Sequence, residues 1–344
     1  MSTHKKKQRL RSLYFKTLFL TLGILLALAM IAFGLFYYLF GGLNRTTLDE
    51  SKLSVNAGLS KDTNYSTKNI ALFGLDSRNH DYEGRSDAIL IASFQPKNAS
   101  IKLVSIARDT YVDIPGHGKT KINHAYSYGG PELAIQTLNE TFDLDITDYV
   151  TVNFDSLAEV IDEMGGVDID VTEEERIQIN AYLLEGEPLR ETGFVHLNGP
   201  QAVSYARIRK IDSDTMRASR QREVLNCIFE KATQLSPLEY PSLIRKFAPM
   251  VETSLSNDEI IELASIGTKS DLKLEQGGLP NDNIDSRGET INGVWYYVYD
   301  LEEATDMLHA FLYDNVPFEE YGLTEEELAE QRASSSNLEL DDVS

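Results

Sequence analysis

An uncharged apolar run near the N-terminus constrains the fold of this chain more than any other feature. Residues 17–40 read TLFLTLGILLALAMIAFGLFYYLF and contain no charged side chain. A helix of this length, at a rise of about 1.5 Å per residue, spans about 36 Å and exceeds the hydrocarbon core of a bilayer, about 30 Å thick. The run therefore predicts a transmembrane helix. Residues 41–66 are polar and aperiodic, which predicts a linker after it.

The charges that flank the run predict how the helix is inserted. Six basic residues precede it, whereas the first acidic residue of the chain is Asp49. The positive-inside rule therefore places residues 1–16 in the cytoplasm as a basic tail and the rest of the chain outside the membrane. A cleaved signal peptide is the alternative, because Ala27-Leu28-Ala29 resembles a cleavage site. We favour an uncleaved anchor, since the apolar run continues for eleven residues beyond Ala29.

The part of the chain after the predicted anchor is strongly acidic. Of 32 basic and 54 acidic residues in all, only the six basic ones lie before residue 41, which leaves 26 against 54 and a net charge of −28. Such a surface repels polyanions, so no nucleic-acid partner is expected. The single cysteine, Cys227, excludes intrachain disulfides, and about 300 residues suffice for one or two domains with a substantial core.

Strand patterns alternate with helix patterns from residue 69 onward. Short runs rich in Ile, Val and Phe predict strands at 69–75, 87–94, 100–107, 149–154, 167–171 and 294–300. Apolar residues at helical spacing predict helices at 131–142, 156–166, 199–209, 216–234, 257–267 and 301–314. The alternation predicts an α/β or α+β sandwich around one sheet. Residues 319–344 are acidic and poor in apolar residues, which predicts a disordered tail.

Arginines are concentrated in one short stretch of this acidic chain. Like charges at such density repel one another unless a counter-anion is present, and the guanidinium fork matches phosphate and carboxylate groups. The stretch therefore predicts a phosphate or pyrophosphate ligand, and the alternative is a helix whose arginines pair with surface acids. Five arginines fall within sixteen residues: Arg207, Arg209, Arg217, Arg220 and Arg222.

Two aspartates flank the first two predicted strands. Asp76 follows the first strand and Asp87 opens the second, with Arg78 and Arg85 close by. If the two strands are neighbours, the carboxylates converge at one end of the sheet, where together with phosphate oxygens they suit a hard metal ion. Turn and strand-capping roles are the ordinary alternative for each aspartate.

The segment 116–131, GHGKTKINHAYSYGGP, combines glycines with lysines, amides and aromatic rings. Loops of this composition display hydrogen-bond donors and stacking faces to polar ligands such as sugars or phosphates. The chain contains no HExxH, GxSxG or GxxxxGK[ST] motif, which argues against the commoner metalloprotease, hydrolase and nucleotide-binding classes.

Six separated segments resemble the motifs of the LytR–CpsA–Psr family and follow the family's order. They read GLDSR, GRSDAI, VSIARDT, KINHAYSYGG, HLNGPQAVSYARIRK and DTMRASRQREV, within residues 69–235. The family comprises membrane-anchored enzymes of Gram-positive cell walls. The resemblance implies a three-layer α/β/α sandwich around a mixed sheet, in an extracellular catalytic domain that spans 67–318 of a cell-membrane protein. It also implies phosphotransferase activity that moves a glycopolymer, such as teichoic acid or capsule, from undecaprenyl pyrophosphate to peptidoglycan.

The resemblance assigns roles to individual residues. It implies a Mg²⁺ ion, with Mn²⁺ as an alternative, held by Asp76 and Asp87. The catalytic residues that it implies are those two aspartates with Arg108, Arg207 and Arg209. The residues that it implies for binding of the pyrophosphate and lipid are Arg85, Arg108, Lys121, Arg207, Arg209, Arg217 and Gln221. We further expect an apolar groove for the lipid, with walls from Ile89, Ile91, Val152 and Phe154.

One departure from the family pattern precedes Arg217. The family often has Gly-Asp-Phe-Gly at this place, whereas the chain reads Ser213-Asp214-Thr215-Met216. The loss of both glycines bears on the loop that meets the acceptor, and not on the class of protein.

Two other functions fit parts of the same pattern. A non-catalytic envelope regulator that holds polyprenyl phosphates would need the arginines but not the aspartate pair. A membrane-anchored structural protein would bind no lipid ligand at all.

Overall fold

The computed structural model describes residues 41–59, 67–75, 84–184, 186–209, 211, 214–234, 240–267 and 272–323. The predicted anchor, 17–40, lies outside these ranges, as does all of the predicted tail after residue 323. Within the described ranges, no helix is both long and apolar enough to cross a membrane.

The chain divides into two compact units. The smaller consists of Met1–Asn44 with Ser236–Pro249, and the larger of Arg45–Leu235 with Met250–Ser344. In the smaller unit a short helix, α6 (Tyr240–Phe247), is described, and its last turn carries Arg245 and Lys246. All described residues of the candidate site belong to the larger unit.

The main sheet of the larger unit is mixed. Its strand order is β10-β7-β2-β3-β4-β11. Strand β3 is antiparallel to both β2 and β4, whereas β7 is parallel to β2 and β11 is parallel to β4. The ends of β2, β4 and β7 and the start of β3 therefore lie along one edge of the sheet. The strand bounds are β2 Lys68–Leu75, β3 Ser86–Gln95, β4 Ser100–Ile106, β7 Asp148–Asn153, β10 Val251–Thr253 and β11 Lys273–Leu279; a two-residue strand, β1 (Asn44–Arg45), spans the boundary between the units.

The larger unit also contains three two-stranded antiparallel sheets, of which the first and the last are hairpins. They are formed by β5 (Tyr111–Ile114) with β6 (Gly118–Lys121), β8 (Val167–Val171) with β9 (Gly193–Leu197), and β12 (Ser286–Ile291) with β13 (Val294–Tyr299). The last hairpin is tied to the first, because the Tyr297 backbone N–H donates to the Asp109 carbonyl oxygen at 2.9 Å, one residue from a bridge between Thr110 and Tyr297.

Helices cover both faces of the sheet. Alternate side chains of the central strands, such as Phe73 and Ile91, pack with α1 (His124–Phe142) and α8 (Leu301–Asp314) in one core cluster. The opposite face of β4 and β11 is covered by α5 (Asp214–Gln234). A second cluster joins α5 to β8, β9 and three shorter helices, which are α2 (Phe154–Glu163), α3 (Glu173–Tyr182) and α4 (Gly199–Ala206). The remaining described helix of this unit is α7 (Asn257–Gly267).

Local sequence explains where the helices next to the site begin. A capping box at Asn198 and Gln201, with Pro200 in the first turn, starts α4. Helix α1 is interrupted at Gly129 and Gly130, and Gly130 has φ +63° and ψ −157°, a conformation that glycine tolerates and other residues avoid. The regular helix that follows corresponds to the one predicted at 131–142, and one additional helical stretch precedes the interruption.

The prediction of an α/β fold around one mixed sheet is confirmed. All six predicted strands and all six predicted helices are present, with ends that differ by a few residues apart from the extended start of α1. The helix predicted at 199–209 is wrong at its end, because α4 stops at Ala206 and Arg207 is its C-cap.

Candidate anion-binding site

The larger of two neighbouring cavities lies where the start of β3 meets the end of β4. Its volume is about 410 Å³. Strand geometry explains this grouping, since β3 and β4 are antiparallel and the start of one adjoins the end of the other. The remaining walls come from the hairpin β5–β6, from the residue before α1 and from the segment after α4. The residues that line it are Arg85, Asp87, Arg108, Asp109, Lys121, Asn123 and Arg209.

Asp87 connects three of the predicted arginines. Its Oδ1 accepts a hydrogen bond from Arg108 Nη1, and its Oδ2 accepts one from Arg209 Nη2 at 3.0 Å. Its backbone carbonyl oxygen accepts a hydrogen bond from Arg217 Nη2. The carboxylate side chain is only 11% exposed, so its hydrogen bonds with the guanidinium groups hold them in a defined arrangement.

Asp109 likewise contacts two of the cations that line the larger cavity. Lys121 Nζ lies 2.7 Å from Asp109 Oδ1, and Arg108 Nε lies 3.3 Å from Asp109 Oδ2. Since Asp109 is 5% exposed, these contacts fix the lysine and the arginine toward the cavity. The two aspartates and three cations thus form one connected network.

A second cavity, about 90 Å³ in volume, shares Asp87 and Arg209 with the first. Its other lining residues are Phe154, Tyr182, Arg207 and Arg217. The guanidinium of Arg207 lies 5.2 Å from the centre of the Phe154 ring, a distance that suits a cation–π contact. Arg207 and Arg209 reach the same cavity because α4 has ended before them; two positions of a continuous helix separated by two residues would face different directions.

The charge of the joined cavities is strongly positive. Among the described lining residues, six cations face two carboxylates. This excess stands in contrast to the net charge of −22 of the whole chain. A group of cations around shared, partly enclosed space is stabilised by a bound anion.

The structure brings together most of the predicted site residues. Arg85, Arg108, Lys121, Arg207, Arg209, Arg217 and Asp87 line one or both cavities. Gln221 lines neither; its side-chain amide lies 3.5 Å from the Ala206 carbonyl oxygen. Asp76 lies outside the described residues, although Leu75, the residue before it, pairs with Ser86 beside Asp87.

The arginine cluster divides into two functional groups. Arg207, Arg209 and Arg217 line the cavities, but Arg220 and Arg222 do not. Arg220 is 3% exposed, and its Nε donates to Glu175 Oε1 at 2.8 Å. Arg222 donates to the hydroxyl of Ser105 beneath α5. Arg220 therefore takes no part in the anion binding that the density of arginines predicted, because it is held by a buried acid from α3.

Loss of the buried ion pair between Arg220 and Glu175 should destabilise the fold. Arg220→Ala should lower the free energy of unfolding by about 3 kcal/mol, because it leaves the Glu175 carboxylate buried without its guanidinium partner. Urea unfolding followed by circular dichroism measures this loss. Arg190→Ala is the matched control, since Arg190 is 81% exposed and its loss should change stability little. Unchanged stability with lost substrate binding would instead place Arg220 in the site.

Asn123 was not among the predicted site residues, although the structure places it in the larger cavity. It is 3% exposed, and its Oδ1 is buried without a hydrogen-bond partner. Its position before α1 is one where asparagine usually caps a helix, but its side chain makes no capping bond. A buried acceptor without a partner is costly and is consistent with a ligand that supplies one. The signal in the sequence was the composition of segment 116–131, which includes Asn123 and indicated a polar ligand.

His124 reports on the positive field of the site. Burial lowers the pKa of its imidazole below the usual range, and Arg85 and Lys121 lower it further. We expect NMR titration to show His124 neutral at pH 7, and Arg85→Ala to raise its pKa by removing one of these charges. The resonances of His196, on β9, serve as the internal reference for this substitution. A His124 pKa that does not respond to Arg85→Ala would contradict the proposed field.

The residues of the larger cavity suit a magnesium ion that arrives with phosphate. Among the described residues, no group of three or more His, Cys, Asp or Glu side chains could hold a metal ion by itself. Mg²⁺, however, is commonly bound by one or two protein carboxylates together with phosphate oxygens and water. Asp87 and Asn123 both line the cavity, and the Oδ1 of Asn123 is buried without a hydrogen-bond partner. The predicted second ligand, Asp76, is outside the described part of the chain.

The expected walls of a lipid groove need correction. Ile89 and Ile91 are 3% and 0% exposed and belong to the core that α1 and α8 cover. Adjacent residues of a strand point to opposite faces of the sheet, and Ile89 and Ile91 point into this core. Their side chains therefore do not form the walls of an open groove. On the other face, Leu72 pairs with Val150, and both are half-buried, as is Val152.

Sequence comparison identifies similar proteins along most of the chain. A model described as the LytR_cpsA_psr family matches residues 41–311. The polyisoprenyl-teichoic acid–peptidoglycan teichoic acid transferase TagU of Oceanobacillus iheyensis is 34% identical over 300 residues, covering 82% of this chain and 89% of its own. The protein of the same name from Bacillus mycoides is 32% identical over 293 residues, covering 82% and 92%.

Solved structures share the fold. The crystal structure of Bacillus subtilis TagT has a TM-score of 0.62 at 30% identity, covering 78% of this chain and 99% of its own. A structure described as the LytR-CPS2A-psr family protein YwtF (TagT) with bound octaprenyl pyrophosphate lipid has a TM-score of 0.60 at 28% identity, with the same coverage.

Proposed function

The chain belongs to the LytR–CpsA–Psr family, and we propose that it is a phosphotransferase that moves an anionic glycopolymer from a polyprenyl-pyrophosphate carrier to peptidoglycan. Relatives that match over most of their length are named as teichoic acid transferases, which supports a polymer of the teichoic-acid type, with a capsule polymer as the alternative. The neighbouring structure with octaprenyl pyrophosphate supports a polyprenyl carrier, and we propose undecaprenyl pyrophosphate.

The observation that carries this proposal is the pair of joined cavities with six cations and two carboxylates. A pyrophosphate diester presents several oxygens on two adjacent phosphorus atoms. Two cavities that share Arg209 can each receive one phosphate group, with Arg207 and Arg217 at one and Arg108 and Lys121 at the other. Guanidinium forks match phosphate oxygens in geometry as well as in charge.

Phosphoryl transfer needs positioning and charge neutralisation more than covalent help from the protein. A peptidoglycan hydroxyl attacks the phosphorus that bears the glycan. The bond from that phosphorus to the bridging oxygen breaks, and polyprenyl monophosphate leaves with the bridging oxygen. The arginines fixed by Asp87 and Asp109 hold the charge that develops on the phosphate oxygens. The hydroxyl proton passes to a base as the new phosphorus–oxygen bond forms.

We propose that Mg²⁺ or Mn²⁺ is the cofactor, with Asp87, Asn123 and the predicted Asp76 as its protein ligands. Bound there, the ion would neutralise charge on the phosphate oxygens during transfer. Asp87 has a second role that does not depend on the ion, because its carboxylate orients Arg108 and Arg209.

The lipid would lie over the half-buried apolar face of β2 and β7. Leu72, Val150 and Val152 provide apolar surface there, on the sheet face opposite to the core of α1 and α8. Burial of each CH₂ group of a polyprenyl chain contributes about 0.8 kcal/mol, so such a surface favours the chain over water. Together with an anchor at residues 17–40 and a cytoplasmic basic tail, binding of the lipid at this surface would keep the catalytic domain at the outer face of the cell membrane.

Reconstitution separates this function from that of a non-catalytic regulator. The full-length protein in detergent micelles is incubated with polyprenyl-pyrophosphate-linked glycan and peptidoglycan oligomers, and glycan-modified peptidoglycan is sought by mass spectrometry. The proposal expects time-dependent product, at a rate proportional to enzyme. A regulator would bind the lipid without consuming it. A structural protein would bind no polyprenyl phosphate in the same preparation.

A further inference from the structure

A stacked aromatic pair lies on the hairpin β12–β13. Trp295 is 42% exposed, and its ring stacks against that of Tyr297, with centroids 5.8 Å apart and planes inclined by 22°. A Cβ atom at Gly288 would stand 2.6 Å from the indole nitrogen of Trp295, so the ring lies close against the backbone of β12. Tyr297 is half-buried, and neither side chain of the pair is part of either core cluster.

This surface, the Trp295–Tyr297 pair, adjoins the larger cavity. Lys121 Nζ lies 5.9 Å from the centre of the Trp295 ring and 2.7 Å from Asp109 Oδ1, and Lys121 itself lines the cavity. The Tyr297 backbone N–H donates to the Asp109 carbonyl oxygen. The pair is therefore fixed to two residues that hold the phosphate-binding network.

The pair and the apolar surface of β2 and β7 adjoin different strands of the site, because the pair contacts Asp109 and Lys121, which follow β4. In the sheet order β7-β2-β3-β4, the half-buried Leu72 and Val150 lie on β2 and β7. The hairpin β5–β6, which carries Lys121, follows β4 in the chain. The hairpin β12–β13, which carries Trp295, is hydrogen-bonded to Asp109 between β4 and β5. Phosphoryl transfer places the attacking and leaving oxygens roughly in line, on opposite sides of the phosphorus. If the lipid phosphate leaves toward β2 and β7, the acceptor must approach from the β4 side.

We propose that Trp295 and Tyr297 dock the acceptor, a peptidoglycan glycan strand, by stacking on the C–H faces of its pyranose rings. Aromatic faces carry partial negative charge, and sugar C–H groups are weakly positive, so the two surfaces attract while water is excluded. This assignment rests on the proposed transferase function and adds the acceptor subsite to it.

The chain supplies its own probe for this docking, because Trp295 is its only tryptophan. Phosphate-free peptidoglycan glycan oligomers should change the Trp295 fluorescence saturably in the full-length protein in detergent. The same change should persist in Arg209→Ala, since the oligomers carry no phosphate. A response to polyprenyl-pyrophosphate-linked glycan alone, with none to the oligomers, would mean that the donor sugar occupies the surface and would overturn the proposal.

Kinetics provide the second measurement. Trp295→Ala should raise the KM for the acceptor about tenfold and leave the KM for the lipid-linked donor within about twofold. Trp295→Phe should recover most of the loss, because it restores an aromatic face. Phe194→Ala is the matched control, since Phe194 is a 79% exposed aromatic residue on β9. Wild-type transfer with an unchanged acceptor KM in Trp295→Ala would reject the docking role while leaving the transferase function intact; absence of transfer by the wild type would reject the function itself.

Discussion

Replacing Asp87 by alanine should lower the rate of glycan transfer about 10³-fold while polyprenyl pyrophosphate binds as tightly as to the wild type or more tightly. The carboxylate accepts hydrogen bonds from Arg108 and Arg209, and it is the one predicted metal ligand among the described residues. Its removal deletes a negative charge beside an anionic ligand, which favours binding. Transfer falls because the arginines lose their orientation and Mg²⁺ loses a ligand, and both act on charge in the transition state.

Two assays on one preparation check this result. Transfer is measured at saturating donor and acceptor with Mg²⁺ present, and lipid binding is measured separately by native mass spectrometry. Asp168→Ala is the control, because Asp168 lies on β8 and its carboxylate pairs with His196 on β9. Wild-type transfer by Asp87→Ala would refute the role given to this carboxylate, and the non-catalytic reading would gain support. Lost lipid binding would mean that Asp87 supports the fold of the site instead.

Arg209→Ala should weaken both binding and transfer by about 10- to 150-fold. Arg209 is shared by the two cavities, and a charge-assisted hydrogen bond to phosphate contributes about 1.5–3 kcal/mol. Arg207→Ala should behave similarly through the smaller cavity. Arg209→Lys should recover little of the loss, since an ammonium group keeps the charge without the planar fork.

The dissociation constant of polyprenyl pyrophosphate checks the arginine prediction, and the free energy of unfolding is its control. Arg209 is 40% exposed at its side chain, so its removal should hardly change stability. Arg220→Ala should do the opposite: it should lower the free energy of unfolding without a direct effect on the dissociation constant of the lipid. Unchanged affinity in Arg209→Ala would exclude it from the phosphate-binding group.

Sequence pattern predicted the central sheet well because those strands are dense in β-branched and aromatic residues. Strand β8 and helices α7 and α8 have the predicted limits. Helix α3 was missed, since EEERIQINAY buries only Glu175 and Ile179 and shows no apolar stripe. Its capping box at Thr172 and Glu175 was the available signal. Strands β10 and β11 were missed because VET is short and KLEQGGL is largely polar.

The site was predictable in its residue types and less so in its geometry. The density of arginines indicated an anion, and the family resemblance selected Arg108, Lys121 and Asp87. Sequence spacing could not show that Glu175, from a helix that the pattern did not predict, removes Arg220 from the site. Nor could it show that the Asn123 side chain makes no capping bond and that the residue lines the cavity, since capping and ligand binding use the same side-chain type at the same position.

The central claim is transfer of a glycan together with one phosphate, and the masses of both products test it most directly. Full-length protein is incubated with Mg²⁺, peptidoglycan oligomers and a donor that carries ¹⁸O at the non-bridging oxygens of the phosphate that bears the glycan. We expect peptidoglycan that has gained the glycan and the labelled phosphate, and an equal amount of unlabelled polyprenyl monophosphate. Release of polyprenyl pyrophosphate, with peptidoglycan that has gained glycan but no phosphate, would contradict phosphotransfer and would identify a glycosyl transfer instead.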